Sequence, residues 1–582
     1  MTCLTKTYRA YFEARFLPRL RLDQTEEGVH AEGAVRGTAM KCHTAESRSV
    51  VLRRFAVALA SGWMVFSAMA DPGNLITRHP FPAQSSFVLT DDHPGIAANR
   101  SGDFVVVWTT VTDPDVPDAG GIWGRRFKQN GVPYADQFRI TLAEGAATPR
   151  VSDSEIAMNG DGDFVVVWYK SSAFGADQVL GRRFDPAGAP KEQPFVVSPA
   201  AQEVIGLPVS VAIASDGAFV VIWGARDPDF DDIAYFGQRF SAAGERSGQV
   251  FRIAPAWSLA AVAMNGEGGF VTIWDEATDG GGTRLRGRRY DSSGQQAGGD
   301  FTVSDPGAGR SATSASIAMR SNGEFFVVYS RNDLLGTFGS ESLGLFARRY
   351  SALAARQGGE IRVSKPGTVD FRGQVDTAIN SRGDLAVSWI AGQVLRLGGT
   401  SFLHTRLLDA SGNLVGKDHE SLFPEIRDPN GPGPSNSTVA IDGMGRFVAA
   451  WQQQSENPDE SGHGDNIFAQ RYAGPDDTRA SCGGYIASKV GTSGSDVISG
   501  TSGDDVIQAL GGNDIVYGSN GADILCGGDQ DDQLFGESGT DRLLGQTGDD
   551  FLTGGSGIDI CDGGPHVNSD TAVGCEATIH IP

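Results

Sequence analysis

A nine-residue repeat near the C-terminus is the feature that most constrains how this chain can fold. Aligned in nines from residue 491, the sequence reads GTSGSDVIS, GTSGDDVIQ, ALGGNDIVY, GSNGADILC, GGDQDDQLF, GESGTDRLL, GQTGDDFLT and GGSGIDICD. The sixth place is always aspartate, and the eighth is Ile, Val, Leu or, once, Cys561. A glycine-rich acidic linker would keep neither the aspartate phase nor the aliphatic phase, so the pattern predicts a repeating folded unit.

The repeat resembles the haemolysin-type (RTX) calcium-binding nonapeptide, whose consensus is G-G-x-G-x-D-x-U-x. The resemblance covers residues 491 to about 564. It implies a right-handed parallel β-roll in which two nonapeptides make one coil, so that aspartates two repeats apart stack on one side. An ion between coils would receive two carboxylates and backbone carbonyls, the oxygen ligands that Ca²⁺ prefers. Ala509 and Gln530 replace consensus glycines, and their turns depart from the pattern.

The sixth-place aspartates are the candidate calcium ligands: Asp496, Asp505, Asp514, Asp523, Asp532, Asp541, Asp550 and Asp559. The expected pairs are 496 with 514, 505 with 523, 514 with 532, 523 with 541, 532 with 550, and 541 with 559, for up to six ions. Without the ion, stacked carboxylates repel each other across a thin apolar seam. The sequence therefore predicts that this roll folds only when calcium is bound.

A second repeat fills the middle of the chain. Seven segments each contain a short apolar strand, a glycine-containing turn and a second apolar strand that ends in Trp or Tyr: 96–108, 156–168, 211–223, 262–274, 317–329, 377–389 and 439–451. Each segment is followed by a third strand, and most by a fourth. Four strands per unit predict an all-β fold, a seven-bladed β-propeller, with an open array of sandwiches as the alternative.

The ends of the propeller region predict how its ring closes. The seventh unit lacks a fourth strand, while a surplus strand, FVLT at 87–90, precedes the first hairpin. Pairing 87–90 with the third strand of the seventh unit, 468–472, would complete the last blade. Closure of this kind removes the long unpaired edges that promote aggregation.

Two residue types recur at one place in every unit and have a structural explanation. Tryptophans stand at the end of six second strands and predict packing between blades: Trp108, Trp168, Trp223, Trp274, Trp389 and Trp451. Arginines recur in all seven third strands and predict bonds to turn acids or backbone carbonyls: Arg126, Arg183, Arg239, Arg289, Arg349, Arg406 and Arg471.

The N-terminal region resembles an export signal. Arg53 and Arg54 precede an apolar run and the small-x-small site 68–70, so residues 40–70 predict a signal peptide and 1–39 an over-extended start. About 14 apolar residues are too few to span a bilayer comfortably. No later segment is long and apolar enough to span. The expected domains are 71–474 propeller, 475–490 linker, 491–564 β-roll and 565–582 C-terminal cap.

Four cysteines follow the expected cleavage site: Cys482, Cys526, Cys561 and Cys575. In an exported chain they predict two disulfides, with three possible connectivities. We expect Cys561–Cys575 to be one of them, since it would fasten the last repeat to the tail. Zinc binding is the rival interpretation, and the chain has no CxxC pair to favour it.

Charge and motifs restrict the function. The net charge of −23 argues against nucleic acid, and residues 491–564 carry 14 acidic residues and one arginine. No GxSxG, HExxH or phosphate loop occurs. We expect a secreted, extracellular or cell-surface protein that is non-enzymatic and whose propeller presents loops to a polysaccharide or protein. The alternative is an exported polysaccharide hydrolase or lyase with its active site at the propeller mouth, if residues such as His404 and His419 converge there.

Overall fold

The computed structural model describes residues 81–581 with the exception of several segments, namely 83–90, 111–119, 143–150, 172–175, 201, 228, 230–231, 256–259, 280–281, 305–309, 335–339, 366–370, 394–399, 422–433, 457–462, 475–479, 484 and 566–568. The expected signal peptide at 40–70 and the extension at 1–39 lie outside the described residues. All regular structure in the described part is β-strand.

The strands from residue 81 to residue 472 form seven four-stranded antiparallel sheets. Blade 1 contains β2 (Asp91–Ala98), β3 (Phe104–Thr110), β4 (Gly121–Phe127) and β5 (Phe138–Arg139). Blade 2 contains β6 (Val151–Met158), β7 (Phe164–Lys170), β8 (Gln178–Phe184) and β9 (Phe195–Val196). Blade 3 contains β10 (Ser210–Ile213), β11 (Phe219–Asp227), β12 (Asp232–Phe240) and β13 (Arg246–Pro255).

The remaining blades repeat this order. Blade 4 contains β14 (Ala260–Met264), β15 (Phe270–Ala277), β16 (Thr283–Tyr290) and β17 (Phe301–Ser304). Blade 5 contains β18 (Arg310–Met319), β19 (Phe325–Leu334), β20 (Ser340–Tyr350) and β21 (Arg356–Arg362). Blade 6 contains β22 (Phe371–Ile379), β23 (Leu385–Gln393), β24 (Thr400–Leu408) and β25 (Leu414–Ser421). Blade 7 contains β26 (Ser435–Ile441), β27 (Phe447–Glu456), β28 (His463–Tyr472) and, from the start of the chain, β1 (Phe81–Pro82).

The recurring hairpin of each blade is built by a tight turn between its first two strands. In blade 1 the Asn99 side chain accepts hydrogen bonds from the backbone N–H groups of Gly102 and Asp103, both at 3.0 Å. Gly102 has a φ of +96°, a conformation that glycine adopts without strain. The seven hairpins predicted from sequence are therefore confirmed.

The propeller core consists of seven clusters, each of which joins two neighbouring blades. Trp168 of blade 2, for example, packs with Val105 and Ile122 of blade 1. Trp108 of blade 1 packs with Ala450 of blade 7, across the point where the ring closes. All six recurring tryptophans are buried in such clusters. Packing between blades is confirmed as their role.

Five of the seven recurring arginines also connect blades, namely Arg126, Arg183, Arg239, Arg349 and Arg471. Arg126 of blade 1 donates to the carbonyl oxygen of Ala187 in blade 2, and Arg349 of blade 5 donates to that of Ala410 in blade 6, both at 2.5 Å. Arg471 of blade 7 donates to the carbonyl oxygen of Gln129 in blade 1. These contacts confirm the predicted bonds to backbone carbonyls.

The hairpin turns form a closed circle of hydrogen bonds around one end of the channel. The seven bonds run from each blade to its neighbour, namely Arg100 N to Gly160 O, Asn159 Nδ2 to Ser215 O, Ser215 N to Gly266 O, Gly266 N to Ser321 O, an Arg320 guanidinium nitrogen to Ser381 O, Asn380 Nδ2 to Asp442 O, and Gly443 N to Arg100 O. Blade 7 is thus bonded to blade 1 in the same way as every other pair of neighbours.

The closing strand lies earlier in the chain than the sequence predicts. Phe81 and Pro82 pair with Ala469 and Phe468 at the outer edge of blade 7, as the fourth strand. The predicted closing strand, 87–90, lies outside the described residues.

The C-terminal region is a parallel β-roll of two sheets. One sheet contains β31 (Lys489–Val490), β33 (Val506–Gly511), β35 (Ile524–Asp529), β37 (Arg542–Thr547), β39 (Ile560–Asp562) and β41 (Ala577–Ile579). The other contains β32 (Val497–Ser499), β34 (Ile515–Asn520), β36 (Gln533–Gly539), β38 (Phe551–Gly557) and β40 (Thr571–Val573). Partners within a sheet lie two nonapeptides apart, as Ile515 and Gln533 do. The predicted inward aliphatic residues, among them Leu525, Leu534 and Leu543, are fully buried between the sheets.

Two disulfides brace the roll. Cys561–Cys575 is confirmed, and the second is Cys482–Cys526. Cys482 belongs to a short hairpin of β29 (Ser481–Cys482) and β30 (Tyr485–Ile486), which lies within the segment predicted as a linker. Val506 and Ile524 of the roll pack against this hairpin.

Candidate metal centre

The repeat aspartates form two ladders along the edges of the roll. The backbone N–H of Asp496 donates to Oδ1 of Asp514 at 2.7 Å, and the N–H of Asp505 donates to Oδ1 of Asp523 at 2.7 Å. The same bond recurs at 2.8 to 2.9 Å in the pairs 514 with 532, 523 with 541, 532 with 550, and 541 with 559. All six pairs expected from the two-repeat spacing are therefore brought together.

In the turns of Asp523, Asp532, Asp541 and Asp550 the second carboxylate oxygen points into a cradle that glycine keeps open. Oδ2 of Asp496 and of Asp505 instead accepts hydrogen bonds from Thr492 and Thr501, and the turn of Asp514 begins with Ala509. Oδ2 of Asp514, Asp523 and Asp532 is buried and has no hydrogen-bond partner among the described residues. A Cβ built on Gly536 would lie 2.5 Å both from Oδ2 of Asp541 and from the carbonyl oxygen of Gly554 in the next coil. Any side chain at this first position would fill a space bounded by two oxygen atoms.

Burial and mutual repulsion perturb these carboxylates. Burial raises the pKa of Asp523 to about 7 and that of Asp532 to about 8, although a backbone N–H bonded to each opposes the shift. The charges of the paired aspartates in the neighbouring coils raise both pKa values further. Burial likewise raises the pKa of Asp550 to about 6. Ionising the buried carboxyl groups of each ladder therefore costs free energy, and a bound cation would remove that cost.

The donor set fits calcium. Each cradle offers buried carboxylate oxygens and a backbone carbonyl, and oxygen-only coordination is what Ca²⁺ prefers. In the part of the chain that the structure describes, no group of three or more His, Cys, Asp or Glu side chains could hold a metal ion. A cation in the roll would therefore depend on carboxylate pairs complemented by backbone carbonyls, as the repeat pattern predicts.

Two residues of the ladder escaped the sequence pattern. The N–H of Asp550 donates to Oδ1 of Asp570 at 2.9 Å, and the N–H of Asp559 donates to Oε2 of Glu576 at 2.6 Å. Their separations are 20 and 17 residues, so a search for a strict nine-residue phase does not find them. The signal that could have found them is an acidic residue directly before a short strand.

The propeller has a separate polar site in its central channel. Seven residues occupy one equivalent position on the innermost strands and line a cavity of about 390 Å³: Gly95, Glu155, Ser210, Ala261, Ser316, Asp376 and Thr438. Two of the seven are acidic. Burial, and then the charge of Asp376, raises the pKa of Glu155 to about 8.

Asp376 is held firmly in this channel. Its carboxylate accepts hydrogen bonds from the Thr438 hydroxyl at 2.7 Å and from the backbone N–H groups of Val439 at 2.9 Å and Thr377 at 2.8 Å. Burial raises the pKa of Asp376, and these bonds oppose the rise. The channel thus combines two buried carboxyl groups, both with raised pKa values, of which Asp376 is held by three hydrogen bonds.

A polar network at the bulged end of the same strands spans three blades. The Asn436 amide donates to Asp92 at 3.1 Å, and His93 contacts Asp92 at 2.9 Å and Asp153 at 3.8 Å. His93, Asp153 and Asn436 all have positive φ at β-bulges. Bulges and left-handed residues of this kind concentrate at functional sites.

The two histidines proposed for a propeller-mouth site behave differently. His404 is buried and stacks on Trp389 with ring centroids 5.2 Å apart, and it is not among the residues that line the channel. The side chain of His419 lies outside the described residues. Among the residues that line the channel, the acids and histidines are Glu155 and Asp376 at the equivalent strand position and His93 and Asp153 at the bulged end.

Comparison with protein families identifies the C-terminal repeats. Residues 490–525 and 527–564 match the family model of the RTX calcium-binding nonapeptide repeat. The chain therefore contains RTX calcium-binding repeats that follow a seven-bladed propeller. No curated protein is significantly similar to the chain in sequence. No helix in the described residues is long and apolar enough to cross a membrane.

Several solved structures share distant similarity with the chain. A protein of unknown function from Dyadobacter fermentans is 12% identical over 69% of this chain and 99% of its own, with a TM-score of 0.41. The polysaccharide lyase Uly1 is 11% identical over 59% and 94%, with a TM-score of 0.36. An α-L-arabinanase from Penicillium chrysogenum, complexed with arabinobiose, is 13% identical over 70% and 96%, with a TM-score of 0.35. Similarity at this level carries no argument about function.

Proposed function

We propose that this is a secreted, non-enzymatic calcium-binding protein whose roll folds around calcium and whose propeller presents a binding surface to an extracellular polysaccharide or protein. The observation that carries the proposal is the pair of aspartate ladders, in which the buried Oδ2 atoms of Asp523 and Asp532 have no hydrogen-bond partner among the described residues and lie beside glycine cradles. The calcium ligands are the eight repeat aspartates from Asp496 to Asp559. Two disulfides suit an oxidising environment outside the cell.

The proposal implies that calcium controls when the roll folds. In a calcium-poor cytoplasm the stacked carboxylates repel one another, so the repeats stay unfolded until after export. Extracellular calcium at millimolar concentration then neutralises the ladders. The propeller depends on apolar packing between blades and needs no ion for its core.

Calcium titration of the full chain tests the ligand assignment. After removal of calcium with a chelator, isothermal titration calorimetry is expected to show binding with dissociation constants of about 10⁻⁴ to 10⁻³ M, as in other extracellular modules. Replacing Asp514 and Asp523 with Asn changes four of the six pairs and should remove most of the binding heat.

The matched control is Asp504→Asn with Asp531→Asn. Both residues are exposed fifth-place aspartates adjacent to the ladders, so this variant loses the same charge without changing a cradle. It should bind calcium almost as the unaltered chain does. Equal losses in the two variants would show that net charge, and not the cradles, attracts the ion.

A second candidate function is polysaccharide hydrolysis in the propeller channel. It is favoured by the convergence of Glu155 and Asp376 at equivalent positions of blades 2 and 6, because paired carboxyl groups perform glycoside hydrolysis. Among the described residues that line the channel there is no Lys or Arg. A channel without these cations favours a neutral polysaccharide over the anionic substrates that need basic groups.

Release of reducing ends from neutral polysaccharides tests this second candidate. If the channel is an active site, the full chain should release reducing ends and Glu155→Gln should lower the rate by about 10² to 10⁴, the usual contribution of a general acid. The control Glu203→Gln changes an exposed acid that pairs with Arg226. Activity that survives in Glu155→Gln would exclude the channel as its source.

A further inference from the structure

The ladders continue beyond the last nonapeptide. Asp570 accepts a hydrogen bond from the backbone N–H of Asp550 at 2.9 Å, and Glu576 accepts one from the N–H of Asp559 at 2.6 Å. These distances are within or close to the 2.7 to 2.9 Å of the six earlier pairs. The return bonds are also present, since the N–H of Thr571 donates to the carbonyl oxygen of Asp550 at 2.8 Å. The segment after residue 564 therefore repeats the backbone geometry of a coil, although it lies outside the matched repeats.

The surroundings of Asp570 are also those of a repeat aspartate, whereas Glu576 is exposed at the end of the roll. Asp570 is buried, and a Cβ on Gly563 would overlap its Oδ2, as a Cβ on Gly545 would overlap Oδ2 of Asp550. A Cβ on Gly554 would overlap the carbonyl oxygen of Gly574, which takes the place of the next coil's first-position glycine. The glycine cradle and its carbonyl are therefore both retained.

We propose that the described residues at the end of the roll, 563–565 and 569–579, form a terminal calcium-binding coil in which Asp570 pairs with Asp550 and Glu576 pairs with Asp559. This inference rests on the proposed function of the ladders. It assigns two ligands that the nine-residue pattern does not contain, and it adds two carboxylate pairs to the six expected from the repeats. Glutamate suits the last pair because its longer side chain spans a turn that is shorter than that of a regular nonapeptide.

The C-terminal disulfide holds this coil in place. Cys561 occupies the inward eighth position of the last repeat, and Cys575 directly precedes Glu576. The bond therefore fastens the segment that carries both acids to the core of the roll. In the regular repeats the nine-residue spacing places each aspartate, and in this segment the disulfide holds the two acids in place instead. The terminal pairs are accordingly expected to need the oxidised cysteines.

Counting bound calcium by equilibrium dialysis of the full chain tests the terminal coil. The variant Asp570→Asn with Glu576→Gln should bind two fewer ions than the unaltered chain. The matched control, Asp531→Asn with Glu537→Gln, removes the same two charges from exposed positions of the roll and should keep the full number. The ions that remain in the terminal variant serve as an internal measure of folding.

The outcomes separate this inference from the proposal on which it rests. A chain that binds no calcium at all would overturn both. Full binding that persists in Asp570→Asn with Glu576→Gln would overturn only the terminal coil. A third variant, Cys561→Ser with Cys575→Ser, should also lose two ions, and retention of all ions there would remove the disulfide from the argument.

Discussion

At the scale of single residues, the second position of each nonapeptide shows why its consensus prefers glycine. Gly528 and Gly555 have φ values of +130° and +115°, and four of the six non-glycine residues at this position are also left-handed, namely Leu510 at +82°, Ser519 at +81°, Glu537 at +73° and Gln546 at +76°. A left-handed conformation costs an L-residue about 1 to 2 kcal/mol. The roll therefore carries backbone strain at the positions that depart from its consensus.

Ser519→Gly should relieve one of these strained positions. We expect the free energy of unfolding of the calcium-loaded chain to rise by about 1 kcal/mol, less than the full strain because glycine is freer in the unfolded state. Denaturant titration with saturating calcium measures this. The reverse change, Gly528→Ser, should be strongly destabilising, because a Cβ there would overlap the carbonyl oxygen of Leu510. A lower stability for Ser519→Gly would contradict the interpretation.

At the scale of elements, the roll and the blades are stabilised by different interactions. Each pair of blades shares a cluster of large buried side chains, such as Trp223 with Val165 and Phe236. The roll has one thin seam of single aliphatic residues between its sheets. A narrow seam cannot compensate for rows of buried carboxylates, so the ion has to contribute the difference.

The calcium-free roll should lose stability as the pH rises. The folded pKa values of Asp523 and Asp532, about 7 and about 8, exceed the unfolded value of 3.8. A raised folded pKa means that the stability present below the unfolded value is lost as the pH rises through the folded value. Far-UV circular dichroism with chelator should therefore show a roll that is folded near pH 4 and progressively unfolds toward about pH 8, where it needs calcium to fold.

Saturating calcium should abolish this pH dependence or reverse it, because the ion binds the ionised carboxylates. Spectra recorded at the same pH values with calcium provide the comparison. A calcium-free roll that becomes more stable toward pH 8 would show that the ladder carboxylates are not destabilised by burial.

At the scale of the whole molecule, the propeller depends on contacts between the two ends of its sequence. β1 completes blade 7, Gly443 donates to the carbonyl oxygen of Arg100, and Arg471 donates to that of Gln129. The last of these contacts joins residues 342 positions apart. β1 covers the outer edge of blade 7, and the other two contacts bond blade 7 to blade 1 and so close the ring.

Arg471→Ala should weaken the closure of the ring. Loss of a buried charged hydrogen bond is expected to lower the unfolding free energy of the propeller by about 2 kcal/mol. Arg289→Ala is the matched control, because Arg289 donates to Ala297 of its own blade at 3.3 Å and joins no other blade through that bond. Thermal unfolding measures both variants. Equal losses would indicate that joining the ends has no special importance.

Both architectures could be predicted from sequence because each rests on a repeated local pattern. The glycine turns, the tryptophans and the sixth-place aspartates recur in register. Because each of them occupies the same position in every unit, its structural role can be inferred from the sequence. The closing strand could not be placed, because β1 has only two residues and one partner. Asp570 and Glu576 were missed for a related reason, since the spacing changes where the roll ends.

The sequence by itself determined the periodic parts of this protein: the seven hairpins, the phase of the repeat aspartates and the pairing of aspartates two repeats apart. Periodicity suffices there because neighbouring repeats contact one another in a constant way. Only the tertiary structure decided that Glu155 and Asp376 share a channel and that the last coil is completed by acids at irregular spacing. Each of these contacts occurs at one place in the molecule and is not repeated, so no local sequence pattern encodes it. The contacts form only when the chain folds.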